Sequence, residues 1–311
     1  MIGQRALRVG VQPRTTRQRE NLEFYLFISP WLIGFLLFVA GPMLATLALS
    51  FSSWDLLTPP KFVGLQNFVH LLSGDPLFWQ ALKVSTLYSG IGIPLHIALA
   101  FCIALLLNQK LKAVAVIRTL YYMPSVISGV AVAVLWLWIF NPDFGPINLA
   151  LRLVHVQGPL WLASEFWALP ALIIVSLWGV GSAMIIFLAG LQGIPTTLYE
   201  AAAIDGAGAW QRFWSVTVPM ISPVLFFNLV LGVINSFQAF TNAYVMTSGG
   251  PNDATLMYVL YLYQNAFQFF KMGYASALAW VLLLIILLLT VLIFKSSPMW
   301  VYYEGELRGR R

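Results

Sequence analysis

The chain has 311 residues, 60% of them hydrophobic and only 9% charged, with a mean hydropathy of +0.82. Soluble domains carry about 25% charged residues, so the composition excludes an ordinary water-soluble domain, a disordered chain and a fibrous protein, and points to a bilayer. Seventeen Lys and Arg against eleven Asp and Glu give +6, without the concentration of charge that a nucleic-acid surface needs; the single cysteine, Cys102, excludes an intrachain disulfide framework and argues against a cysteine metal site.

Apolar segments fall at 24–50, 81–107, 114–140, 164–189, 219–240 and 275–295. Each has the roughly 20 residues that a helix rising 1.5 Å per residue needs to cross about 30 Å of hydrocarbon. The first follows a basic N-terminus but is longer than a signal-peptide core. None shows the alternating polarity of a membrane β-strand. The expectation is an all-α polytopic membrane protein with six transmembrane helices. It divides into a basic tail (1–23), a first helix with its outer segment (24–80), a five-helix core (81–295) holding a polar loop at 191–218, and a C-terminal tail (296–311). Thirteen Lys and Arg, including Arg5, Arg8, Lys110, Arg118, Arg212 and Arg308, flank the spans on one side and four on the other. Both termini are therefore expected in the cytoplasm.

In span two, Gly90, Gly92 and Pro94 predict a kink, with Pro124 a second in span three. His96 reads as a packed or hydrogen-bonded residue rather than a proton relay, and Trp136 and Trp138 as part of an aromatic belt. Segment 141–163, with Pro142, Gly145, Pro146 and Pro159, predicts turns broken by at most a short helix.

Between spans four and five, Pro195 and the hydroxyls of Thr196 and Thr197 suit a helix start before TLYEAAAID. Gly206 and Gly208 mark a turn, and a second short helix over about 209–216 follows before Pro219 opens span five. Two readings stand: a hairpin whose small residues enter a groove on another protein, or an amphipathic hairpin resting on lipid with Phe213 and Trp214 as anchors. Span five is the most polar. At 100° per residue, Asn228, Asn235, Gln238 and Asn242 fall in one sector about 80° wide, which must face protein or water. Either an amide meets a polar solute, with Phe237 and Phe240 stacking on it, or the amides join helices to one another.

Several runs together carry a resemblance. Glu200-Ala201-Ala202 is followed by Asp205-Gly206-Ala207, then Val218-Pro219 and Pro223. SPWLIGFLLFVAGPM with Ser50, Phe51 and Trp54, VGLQNF at Val63–Phe68, YVMTSGGPNDAT at Tyr244–Thr255 and YQNAFQFFKMGYASA at Tyr263–Ala277 extend the match over nearly the whole chain beyond Arg19. The sequence resembles the permease subunits of bacterial ATP-binding-cassette importers, of the sugar type similar to the maltose and glycerol-phosphate permeases. One departure is Val218, where many relatives have leucine.

The resemblance implies that 196–216 couples transport to two cytoplasmic ATP-binding subunits. Glu200 would pair with a basic residue there, Ala201 and Ala202 would keep the inserted face thin, and Asp205, Gly206 and Ala207 would form the turn. It also implies a second, related permease subunit, a small carbohydrate or polyol as solute, and an extracytoplasmic solute-binding protein. Gly249, Gly250 and Pro251 would meet that protein, or form a re-entrant turn. The place is the bacterial inner membrane. This chain would bind no cofactor or metal and catalyse no reaction; it has no G-x-x-x-x-G-K-[ST] run, and ATP and Mg2+ would be used by the partner ATPases. An ion-coupled transporter subunit or a membrane scaffold without an ATPase is the alternative. The span cores lack Asp and Glu, which disfavours ion coupling, and His70, His96 and His155 form no H-E-x-x-H spacing of a membrane metalloenzyme.

Overall fold

A backbone amide in hydrocarbon has no water to bond, so apolar runs of this length must close their hydrogen bonds internally. The computed structural model describes residues 14–109 and 112–302, with side chains from residue 19; Arg5, Arg8, Lys110 and Arg308 lie outside the described residues. In chain order the elements begin with α1 (Arg14–Phe35), a π-helical turn (Leu36–Ala40) and α2 (Gly41–Ser50). A two-residue antiparallel ladder follows, β1 (Ser52–Ser53) with β2 (Lys61–Phe62), then α3 (Gln66–Val69) and α4 (Pro76–Leu107). Next come α5 (Val114–Tyr122), α6 (Gly129–Ile139), α7 (Pro146–Leu153), α8 (Glu165–Trp178), α9 (Gly181–Gln192), α10 (Thr196–Ile204) and α11 (Ala209–Arg212). The chain continues with α12 (Val218–Phe237), α13 (Thr241–Met246), α14 (Tyr258–Tyr263) and α15 (Met272–Ser296).

Four helical runs are long and apolar enough to cross a membrane: Arg19–Ser50, Pro76–Leu107, Ala209–Met246 and Met272–Met299. The remaining apolar segments are bent pairs. Val114–Val126 meets Gly129–Ile139 at 100°, and Glu165–Trp178 meets Gly181–Gln192 at 49°. The protein is therefore an all-α polytopic membrane protein, with four to six candidate spans among the described residues and one two-residue β-ladder there, in the loop after the first span.

Gly90, Gly92 and Pro94, where a kink is predicted, lie inside α4, one unbroken helix of 32 residues. At the second predicted kink the helix does break: after Pro124, Ile127 and Ser128 turn to extended backbone (ψ 141° and 133°). One local expectation needs correction, for the second short helix of the 191–218 loop does not stop before Pro219. A π-helical turn, Phe213–Thr217, carries α11 directly into α12. Proline causes no break there because it stands in the first turn of α12, where its missing N–H costs least.

Two apolar clusters hold the helices together. One joins α4, α8, α14 and α15 around Phe78, Leu172, Tyr258 and Leu278. The other joins α4, α9 and α12 around Ala104, Met184, Phe187 and Ile221. Small residues permit the close approaches. A Cβ on Gly181 would lie 2.4 Å from the Tyr121 carbonyl oxygen, so α9 begins directly against the end of α5. The most apolar stretch of the first span has no buried residue, although α2 packs along α15.

Asp75, 8% exposed, ties the start of α4 to the last two helices. Its Oδ1 accepts from the backbone N–H groups of Leu77 (3.0 Å) and Phe78 (3.2 Å), capping α4. Its Oδ2 accepts from the hydroxyls of Tyr261 (2.5 Å) and Tyr274. Burial alone would raise this carboxyl, but the hydrogen bonds from Tyr261, Tyr274, Phe78 and Leu77 outweigh it and hold Asp75 below the usual carboxylate range.

Replacing Asp75 by Ala removes the cap and leaves two buried hydroxyls without their acceptor, a loss of about 2–4 kcal/mol. The thermal midpoint of the detergent-purified variant is expected to fall by several degrees. Because the folded-state pKa lies below the unfolded value, the Asp75 contribution is present above roughly pH 4 and fades as pH drops through the folded value. The difference between the native chain and Asp75→Ala therefore narrows at acid pH; a gap that widens would contradict this account.

Candidate functional site: an amide-lined cavity and the 196–212 hairpin

Helices α4, α9 and α12 pack through small residues but separate midway along their length, leaving a cavity of about 340 Å³. Its walls are Tyr88, Gly92, Ile93, His96 and Ile97 of α4, Ser176, Gly179, Ser182, Ala183 and Ile186 of the α8–α9 pair, and Asn228, Leu231, Gly232, Asn235 and Ser236 of α12, with Ala239 beyond it. The lining contains no Asp, Glu, Lys or Arg. Its polar groups are hydroxyls, two carboxamides and one imidazole, a set that donates to and accepts from neutral polar molecules. Asn228 is fixed by donating from Nδ2 to the Val224 carbonyl (2.9 Å). Gly92 leaves open space where a Cβ would stand.

The span-five amides separate here. Asn228 and Asn235 lie on the cavity wall; Gln238 and Asn242 do not. The helical register behind that sector ends with α12 at Phe237. Gln238 is the C-cap, Phe240 takes φ −136°, and α13 starts afresh at Thr241. Phe237 is buried in the apolar core. Phe240 stacks on Tyr244 (5.1 Å between centroids) and contacts Tyr263 at the same distance.

His96, read from the sequence as packed or hydrogen-bonded, is half-buried and lines the cavity together with Tyr88 and Gly92. Those three recur every four residues along one face of α4, and this spacing was the available signal. Trp138 is exposed as an aromatic-belt residue would be, whereas Trp136 packs against Phe140 and Trp178.

The hairpin lies at the other end of the same helices. Asp205 closes α10, and Gly206 follows with φ +81°. Ala207 N–H donates to the Ala202 carbonyl (2.9 Å) and Gly206 N–H to Ala203 (3.1 Å), which is the paired bonding that ends a helix at a left-handed glycine. Glu200, Ala201, Asp205 and Gly206 are exposed; Ala202 and Ala207 are half-buried. Ile204 at 86% and Trp210 at 71% exposed form an apolar tip. The Tyr199 hydroxyl and Thr217 Oγ1 lie 3.0 Å apart, joining α10 to the π-helical turn, and Leu191 and Ile194 seat the base in the cluster around Ile221.

In the 247–255 loop, Thr255 Oγ1 donates to the Gly250 carbonyl (2.7 Å) and Gln80 Nε2 to Asp253 (3.1 Å). Gly249 is buried and Gly250 and Pro251 are half-buried, so the exposed tip of this loop is Asn252.

The base of the hairpin is sensitive to volume. A Cβ on Gly190 would lie 2.7 Å from both Ile221 Cδ1 and Val224 Cγ2. Gly190→Leu is expected to cost about 1–3 kcal/mol by overpacking, read as a lower thermal midpoint; an unchanged midpoint would show that α9 and α12 do not pack this closely.

Comparison with known proteins gives this arrangement its context. A chain from Bacillus subtilis described as the probable ABC transporter permease protein YesP is 50% identical over 293 residues, covering 93% of this chain and 94% of that one. The lactose transport system permease LacF of Rhizobium radiobacter is 35% identical over 91% of this chain and 98% of its own length. The trehalose/maltose permease MalF of Thermococcus litoralis is 34% identical over 90% and 95%. A crystal structure of a bacterial ABC transporter that imports alginate shares the fold, with a TM-score of 0.81 at 24% identity over 92% of this chain and 99% of that one. Residues 92–297, which hold the hairpin, the 247–255 loop and the cavity lining apart from Tyr88, match the model of one family, and the chain belongs to it: the binding-protein-dependent transport system inner membrane components.

Proposed function

We propose that the chain is the permease subunit of an ATP-driven carbohydrate importer in a bacterial cytoplasmic membrane. Each bent pair is taken as one broken span, giving six spans with both termini cytoplasmic, as the distribution of Lys and Arg favours. A solute-binding protein delivers the solute to the outer face. The cavity between α4, α9 and α12 passes it, with Asn228, Asn235 and His96 as hydrogen-bonding partners for hydroxyls. Of the two ATPase subunits, one docks on residues 196–216 of this chain, and a related permease, which offers its own hairpin to the other, completes the pathway.

The observation that carries the reading is the continuity of one helical run. Ala209 to Phe237 begins in the hairpin and ends along the cavity wall. A displacement of the hairpin by ATPase closure is therefore a displacement of the residues facing the solute, with no flexible joint between. The neutral lining suits a sugar, and relatives named for lactose and for trehalose/maltose match 91% and 90% of the chain.

Two variants test the coupling role. Ala201→Trp adds bulk to the exposed face of α10, and Gly206→Trp forces a side chain onto a left-handed residue. Both should insert in the membrane at normal levels, while co-purification of the ATPase and ATP-driven uptake fall about tenfold or more, equivalent to 1.4 kcal/mol of docking energy. Normal uptake in both would refute the assignment. For the cavity, Asn235→Leu should raise the KM for the solute presented by the cognate binding protein while ATPase recruitment stays normal; an unchanged KM and kcat would remove Asn235 from the path.

A further inference from the structure

Helix α7 is turned inside out for a helix in water. Its inward face carries Ile147, Asn148 and Leu151. Asn148 is buried, donating from Nδ2 to the carbonyls of Pro142 (3.3 Å) and Pro159 (3.2 Å) and accepting from Trp161 Nε1 (2.7 Å). Its outward face is Pro146, Leu149, Ala150 and Leu153, all exposed, with Leu153 at 82%. Val154, Val156 and Leu160 are exposed along the returning limb, with His155 and Gln157 exposed between them. The one charged residue of α7, Arg152, is folded back: Nη2 donates to the Pro142 carbonyl (2.8 Å) and Nη1 to the Asp143 carbonyl (3.2 Å). An outward helix face this apolar signals an interaction partner.

Its position restricts the choice of partner. The chain between Ile139 and Pro146 is wound tightly, with Asp143 and Phe144 N–H donating to Asn141 Oδ1 and Gly145 N–H to the Asn141 carbonyl. A Cβ at Gly145 would lie 2.5 Å from the Ile139 carbonyl oxygen, so α7 starts hard against the end of α6. At Gly158 a Cβ would lie 2.1 Å from Asn148 Oδ1, which clamps the other limb as closely. Exposed rings flank it at the adjoining helix ends: Trp138 at the end of α6, Phe144 before α7, and Phe166 and Trp167 at the start of α8. Trp161, which holds Asn148, lies 5.3 Å from Trp167. Aromatic rings at span ends mark the headgroup level of a bilayer.

We infer that α7 and the limb to Leu160 form a rigid foot that lies in the lipid interface, with Leu149 and Leu153 in the acyl region and Arg152 at the headgroups. The occupant of the apolar face is lipid. A helix fixed within one turn of a span end, apolar outward and without an acidic residue, meets the bilayer before any soluble protein reaches it. The foot braces the α6 and α8 ends against tilting, a role separate from solute binding and ATPase docking.

The test uses the full-length chain in phosphatidylcholine liposomes, with Cys102→Ala removing the native thiol. Bimane is attached at Leu153→Cys, at Leu149→Cys, and at Asn252→Cys on the exposed outer loop. Quenching by doxyl-labelled phosphatidylcholine should be several-fold stronger at 153 and 149 than at 252, and quenching by aqueous iodide should follow the reverse order. Iodide quenching at 153 and 149 equal to that at 252 would overturn the foot. Shielding of both sites from lipid and iodide alike would also overturn it, since a protein would then cover this face.

Discussion

A helix surrounded by hydrocarbon cannot open its backbone without leaving N–H and C=O groups unbonded, and each such group costs several kcal/mol. The run from Ala209 to Phe237 obeys this constraint even where its sequence holds Pro219 and Pro223. It stays helical by placing one proline in the first turn of α12 and absorbing the change of register in the π-helical turn before it. The hairpin tip and the amides of the cavity are thus two ends of one rod, and the proposed coupling depends on that stiffness.

Around the rod, packing is set by size. Ala100, Ala104 and Ala183 bring α4 and α9 together, and Gly190 lets α12 reach α9. Farther along, small residues leave space that no side chain fills, at Gly92 above all, and Tyr88, His96 and Asn235 border the cavity that remains. One seam therefore produces both a dry contact beneath the hairpin and a polar space farther along. At the opposite end, Asp75 and its two tyrosines fix α4 to α14 and α15, so α4 is held at both extremities.

The polytopic all-α class was legible in the sequence because a run of about 20 apolar residues has few other fates; the count was not, since two of the six runs are bent pairs. The hairpin was legible too, since Pro195, the alanine run and Gly206 act locally. What escaped depended on contacts between distant residues. The break after Pro124 reaches 100°, and beyond it α6 packs on α13, with Thr241 beside Gly129, a contact between residues more than a hundred positions apart. The amide sector failed at Gln238 because helical angles were carried past a helix end that no proline or glycine announces. His96 looked solitary until Asn228 and Asn235 were brought opposite it. The short helix expected in 141–163 is α7, but which of its faces turns outward follows from the burial of Asn148, which no periodicity reveals.

The central claim is that the hairpin and the cavity wall move as one body. A short glycine insertion after Thr217 would soften the rod while leaving both the hairpin and the cavity residues intact. In a reconstituted complex with its ATPase, partner permease and binding protein, the account predicts normal assembly and continued ATP hydrolysis with uptake abolished. Uptake at the unmodified rate would contradict it.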